Sequence, residues 1–168
     1  MKLFLLLSFV SVGSSAWVKE MEDPRLFEGD MVLSPEQLKG VIEGDYSYGT
    51  SSDKWHLWPF KVPYMIDSSL QGNSRAEEAI EAAIEDYEKY TCFRFEKHAS
   101  PLFFVGPYLR FVNARGCSSP VGNSGGRNSI TLGRGCWSKG VVIHEMMHSF
   151  GKCSDLEIRC LDVLFQTV

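Results

Sequence analysis

Two histidines four residues apart, His144 and His148, lie in the stretch VVIHEMMHSFG at 141–151, with Glu145 beside the first. On a helix that spacing puts both imidazoles on one face, about one turn apart. Two neutral imidazoles so placed can share one zinc ion. Glu145 falls on the adjacent flank, where a carboxylate reaches the open metal position without ligating, as a general base must. Val141, Val142, Ile143, Met146, Met147 and Phe150 can anchor the same helix in a core. Ser138 can cap its start and Gly151 can end it.

Other elements must hold that helix in place. The clearest is a helix from Ser74 to about Tyr90. Ser74 with Glu77 forms a capping-box pattern, and Ala76, Ile80, Ala83, Ile84 and Tyr87 recur at helical spacing. Glu77, Glu78, Glu81, Glu85 and Lys89 fall largely outside that stripe and read as a solvated face. KVPYMID (61–67), TCFRFE after the helix, runs within 102–113 and NSITLG (128–133) read as strands. The glycine- and serine-rich GCSSPVGNSGGRNS reads as loop, and it lacks the Gly-Lys-Ser/Thr ending of a phosphate loop.

At 168 residues the chain is long enough for one modest domain plus processing segments. Its 44% hydrophobic content supports a buried core, and a net charge of −4 gives no reason to expect nucleic acid or an anionic membrane as partner. Lys2, the run LFLLLSFVSV and the small residues GSSA read as a secretory signal cleaved after Ala16. That run is too short to span a bilayer, and no other segment comes closer. Residues 17–54 turn from acidic to rich in Gly, Ser and Tyr, and read as an extended arm with a linker rather than a packed unit. In an oxidising compartment Cys92, Cys117, Cys136, Cys153 and Cys160 are expected to pair, and the odd count leaves one over.

The sequence resembles the astacin family of secreted zinc endopeptidases, which includes meprins and fish hatching enzymes. VVIHEMMHSFG is similar to that family's TVxHExxHxxG, and YTCFRF to the strand after its first long helix. RGCSSPVG followed by GRGCWSKG resembles its two-cysteine loop, and LFEGDMVL its propeptide motif Phe-x-Gly-Asp. These features keep the family's order over about residues 24–151. The resemblance implies an α+β fold, the N-terminal half of a zincin or metzincin-type catalytic domain. Its sheet would be mixed and mostly antiparallel, with two long helices packed beneath. It divides the chain into a signal (1–16), propeptide and linker (17–54), the N-terminal part of the peptidase domain (55–151) and a divergent tail (152–168).

By the same resemblance His144 and His148 would bind Zn2+, Glu145 would be the catalytic base, and Cys117 would pair with Cys136. Asp30 would reach the zinc in the zymogen, displace the catalytic water and hold the enzyme latent. The stretch 117–122 would lie beside the cleft where the family pairs substrate as an added strand, although Pro120 offers no amide there. After Gly151 the likeness stops. Ser154 stands where the family has its third histidine, and Asp155 follows it. The family's Arg-x-Asp-Arg-Asp stretch and methionine turn do not follow, and a truncated or altered transcript is the simplest account. Cys92 would pair in that part of the family's domain, so Cys153 and Cys160 are its available substitutes. His56, His98, Asp30, Cys153, Asp155 and Glu157 are the candidates for a third zinc donor. The implied function is a secreted, extracellular zinc endopeptidase acting on protein or peptide substrates, made as a zymogen and trimmed at Lys39 or Lys54. The alternative is a truncated, inactive secreted fragment serving as a binding module or decoy. No oligomeric state follows from these residues.

Overall fold

The computed structural model describes residues 21–44, 58–100 and 106–151. Along these residues the chain forms β1 (Met31–Val32), α1 (Pro35–Glu43), β2 (Lys61–Ile66), α2 (Ser74–Tyr90), β3 (Arg94–Lys97), β4 (Tyr108–Val112), β5 (Cys117–Pro120), β6 (Arg127–Leu132) and α3 (Lys139–Phe150). The strands make one sheet in the order β1-β5-β6-β4-β2-β3. The signal at 1–16, His56, Lys54 and the tail at 152–168 lie outside the described residues.

An α+β fold with a mixed sheet is observed, but the expected antiparallel majority is corrected. Among the described residues β2 pairs parallel with β3 and β4, β4 with β6, and β1 with β5, while β5 and β6 alone run antiparallel. A parallel return needs a long connection, which α2 provides between β2 and β3. Residues 98–107 join β3 to β4, which flank β2 on opposite sides, whereas 121–126 make a short antiparallel turn between β5 and β6.

Two local readings are also corrected. The glycine- and serine-rich stretch contains β5, because Cys117, Ser118 and Ser119 are buried beside β6 rather than looped into solvent. The arm is not an unpacked linker over 31–43: β1 adds to the sheet, and α1 follows behind a capping box of Ser34 and Gln37 with Pro35 in its first turn.

α2 forms where its apolar residues recur. Ala76, Ala79, Ile80, Ala83, Ile84 and Tyr87 are its buried face. Its cap is Asn73, one residue before the expected Ser74, and the Asn73 side chain accepts from the Ala76 amide at 3.3 Å. Glu77 accepts instead from the Gly72 amide at 2.9 Å. The helix ends at Thr91, whose hydroxyl returns to the Tyr87 carbonyl at 2.6 Å.

α2, α3 and the inner strands share one core in which Val62, Leu109, Phe111, Ile130, Leu132, Val142 and Met146 are fully buried. The Tyr87 hydroxyl donates to the Ile143 carbonyl at 3.2 Å, joining the two helices. Phe150 closes α3 inside an aromatic group: it stacks on Phe93 at 4.5 Å and meets Trp58, Tyr87 and Phe95 at 5.3–6.1 Å. Phe150→Ala should therefore cost about 3–5 kcal/mol of folding stability, read as a lower urea midpoint, and Phe150→Leu should cost distinctly less.

Asp67, just past β2, accepts from the Ser69 amide at 3.0 Å and from the Arg110 guanidinium of β4. Those Ser69 hydrogen bonds first, and Arg110 after them, pull its carboxyl down to about 2. A depressed carboxyl contributes stability above its unfolded pKa and loses it as pH falls through the folded one. Asp67→Asn should be less stable than the parent at neutral pH, with the gap closing between about pH 4 and pH 2. Urea titrations at stepped pH check this, and a gap that stays constant would refute it.

Candidate metal centre

α3 presents one face to the core and another to a shallow opening beside β5. Val142, Met146, Ser149 and Phe150 are buried, so His144 and His148 project from the opposite side. Their Nε2 atoms stand 3.0 Å apart, with the rings nearly perpendicular at 87°. Asp30 comes from the arm and completes a triangle. Its Oδ2 lies 3.0 Å from His144 Nε2 and 3.6 Å from His148 Nε2. Among the described residues these three form the one group of histidine, cysteine and acidic side chains able to hold a metal.

The triangle fits zinc. Ligand bonds of about 2.0–2.1 Å in tetrahedral geometry put neighbouring donor atoms about 3.3 Å apart. The observed separations of 3.0, 3.0 and 3.6 Å bracket that value. Burial, ahead of the opposing pull of Asp30, holds the His148 imidazole below its usual range and so in the neutral form that ligates.

Glu145 is the anomaly that points to the same chemistry. It is 1% exposed, and its Oε2 has no hydrogen-bond partner among the described residues. A buried carboxylate oxygen left without a donor is costly unless a ligand completes it. Burial, and after it the Asp30 carboxylate, push the Glu145 carboxyl up to about 8. Glu145, His144 and Asp30 line a cavity of about 310 Å³ whose other walls include Cys117, Gly140 and Val141.

The arm delivers Asp30 by a tight reversal. Phe27 and Met31 exchange two backbone hydrogen bonds, at 3.3 and 3.0 Å, around the tip 28–30. Glu28 adopts φ 52° and Gly29 φ 95°. A side chain at Gly29 would be strained by that φ and would approach Glu22 to 3.1 Å. Glu28 is not a glycine, and its left-handed backbone costs about 1 kcal/mol or more. β1 then pairs with β5, and the Ser119 amide donates to the Asp30 carbonyl at 2.9 Å.

β5 and the loop after it are tied to α3. The Gly122 amide donates to the His148 carbonyl at 2.9 Å. The chain turns so close there that a Cβ on Gly151 would lie 3.2 Å from the Gly122 Cα, and Gly151 has φ 70°. The Ser119 and Ser149 hydroxyls meet at 2.7 Å, both buried, and the Trp58 indole donates to the Ser149 carbonyl at 2.8 Å. Fully buried Asn128 shapes the loop, giving its amide to the Gly122 carbonyl at 2.7 Å and accepting from Ser124. A disulfide joins Cys117 to Cys136, as the resemblance implies.

Of the residues singled out from sequence, Asp30, His144, Glu145 and His148 are brought together. His98 is not: it sits 3.8 Å from Glu96, outside the triangle. Cys92 is not free. Cys153, Ser154, Asp155, Glu157 and Cys160 lie outside the described residues. Sequence reasoning misses Ser119, Asn128 and Ser149, and nothing in their spacing marks them. It misses Gln37 too, though Ser34-x-x-Gln37 is a capping-box signature open to reading.

A family profile for the astacin peptidases matches residues 50–155. The chain is 34% identical over 133 residues to zinc metalloproteinase nas-6 of Caenorhabditis elegans, covering 79% of this chain and 37% of that protein. It is 42% identical over 145 residues to zinc metalloproteinase nas-13 of the same nematode, covering 78% and 30%. Protein SpAN of Strongylocentrotus purpuratus is 34% identical over 145 residues, covering 79% and 23%. The solved structure of high choriolytic enzyme 1, a hatching enzyme zinc-protease from Oryzias latipes, aligns with a TM-score of 0.49 at 28% identity, covering 61% of this chain and 50% of that one. The chain thus spans less than two fifths of the length of these curated relatives. With the profile matching well over half of its residues, the chain belongs to the astacin family of peptidases.

Proposed function

We propose that this chain is a zinc-dependent endopeptidase held latent by its own N-terminal arm. The observation that carries the reading is the triangle of Asp30, His144 and His148, with Glu145 buried beside it. In this reading His144 and His148 hold zinc from the body of the fold and Asp30 holds it from the arm. Zinc, when bound, supplies Lewis acidity that polarises a carbonyl and lowers the pKa of water. Glu145 is the general base. It lines the same cavity as His144, and its partnerless Oε2 is free to take a proton there.

The arm blocks twice. Asp30 fills a donor position, and β1 fills the edge of β5 where an extended peptide would otherwise add as a strand. Substrate and arm therefore exclude one another. Of the two activation sites expected, Lys39 is exposed but lies within α1, so cutting there requires the helix to open locally. We also assign 1–16 as a secretory signal, 17–54 as propeptide and linker, 55–151 as the N-terminal part of the peptidase domain and 152–168 as a divergent tail. Substrates on this reading are extracellular proteins. No helix among the described residues is long and apolar enough to cross a membrane.

A second reading has an observation behind it. Among the described residues the third donor comes from the arm, and Ser154 occupies the position of the family's third histidine. A trimmed chain with two imidazoles would be a catalytically inactive secreted fragment, a binding module or decoy. Zinc content after trimming separates the two: about one zinc retained against a mild chelator supports the peptidase, and loss of zinc supports the fragment.

Two substitutions test the roles. Glu145→Gln should lower cleavage of unfolded casein by about 10²–10⁴-fold after trimming while leaving zinc content unchanged, as expected for a base that does not ligate. Zinc lost along with activity would remove Glu145 from that role. In the untrimmed chain Asp30→Asn should weaken zinc retention by more than about tenfold, since even outer-shell partners of a metal are worth about 10–100-fold. Competition with a chromogenic chelator gives that number, and an unchanged affinity would mean that Asp30 does not ligate.

A further inference from the structure

The arm is fastened to the body at a point beyond Asp30. Along the β1–β5 pairing Met31 lies opposite Ser119 and Val32 opposite Pro120. The Ser119 amide donates to the Asp30 carbonyl, and the pairing stops after Val32, where the arm turns toward the cap of α1 at Ser34. The next carbonyl of the body, that of Val121, is taken by a side chain. Gln37 Nε2 donates to it at 2.9 Å.

The same amide group caps α1. Gln37 Oε1 accepts from the Ser34 amide at 2.8 Å, and the Gln37 backbone amide donates to the Ser34 hydroxyl at 3.2 Å. One side chain thus starts the helix with its oxygen and pins it to the body with its nitrogen. Little else holds α1 down. Leu38 is 49% exposed and Ile42 76%, and Gly40 is its one buried residue. Among the described residues the Gln37–Val121 bond is the one side-chain hydrogen bond from α1 to the rest of the protein. Val121 precedes Gly122, whose amide is bonded to the His148 carbonyl, so α1 is pinned to the loop that abuts the metal helix.

We propose that Gln37 is the latch of the arm: its bond to the Val121 carbonyl, just past the end of the β1–β5 pairing, keeps β1 and Asp30 seated. Gln37→Glu separates the two jobs of the side chain. A carboxylate at that position keeps the capping-box acceptor and suits a helix N-terminus, but it has no donor and sets negative charge against the Val121 carbonyl. Ser34→Ala is the converse variant, weakening the cap while leaving the bond to Val121 in place.

The inference deepens the reading of the arm as the blocking segment, and its readout is independent of activity. In the full-length chain held in chelator, the Ser119 amide exchanges with solvent only when the Asp30 carbonyl leaves it. Gln37→Glu should speed that exchange by about 2- to 10-fold, the effect of losing one net hydrogen bond, while the chemical shifts of α1 remain helical. Ser34→Ala should leave it within about 2-fold of the parent. The proposal is overturned if Gln37→Glu exchanges at the parent rate, if Ser34→Ala matches Gln37→Glu, or if α1 melts in Gln37→Glu. A chain that takes up no zinc or cleaves no peptide would sink the peptidase reading and leave this result standing.

Discussion

The carbonyl of His148 accepts two amides, from Gly122 at 2.9 Å and from Gly151 at 3.0 Å, where α3 runs out. Carbonyls at a helix end have no partner within the helix, and a buried end needs one supplied. Here the loop after β5 supplies it. Ser149, the next residue, is fixed through its hydroxyl to Ser119 and through its carbonyl to Trp58. Phe150, the one after, is fixed by its ring among four others. Three consecutive residues therefore set the rotation and axial position of the helix. His144, one turn back, has no freedom left except its own rotamer, and the donor triangle can be narrow without any metal-specific scaffold.

The arm exploits that rigidity. Asp30 acts on all three chemical side chains of α3 at once. It sits within ion-pair distance of both histidines and adds to the burial that raises Glu145. Departure of the arm would remove the Asp30 contribution to the Glu145 shift and take Met21, Glu22 and Asp30 out of the cavity wall beside it. Glu145 belongs to the body of the fold, whereas Asp30 is lent by the arm. The two kinds of residue differ in how they are held: Glu145 by a packed core, Asp30 by a few backbone bonds and the amide of Gln37.

Much of this is legible in the sequence, because it depends on local periodicity. The i, i+4 spacing of His144 and His148 is a helix-face pattern, and the stripe from Ala76 to Tyr87 marks the buried face of α2. What fails depends on partners far away in the chain. β5 carries two serines and a proline and looks like loop; only burial against β6 and α3 makes it a strand. β1 is two residues long, too short for any alternation to register. The parallel pairings are set by crossovers, which strand composition does not encode. Asn73 and Ser74 are both good caps, and their order is settled by whose side chain meets the Ala76 amide. Asp30 is recognisable through a family likeness, since a lone aspartate in a turn carries no chemical signature.

Glu28 gives the arm a built-in readiness to leave. Its left-handed backbone is tolerated while Phe27 and Met31 are clamped on either side, and it becomes unnecessary once they part. About 1 kcal/mol of relieved strain corresponds to roughly a fivefold bias toward the open chain. The tip at 28–30 is therefore a lightly loaded spring, compressed for as long as the arm is seated. A glycine or asparagine at position 28 would unload it, and the arm would sit more firmly with no new contact made.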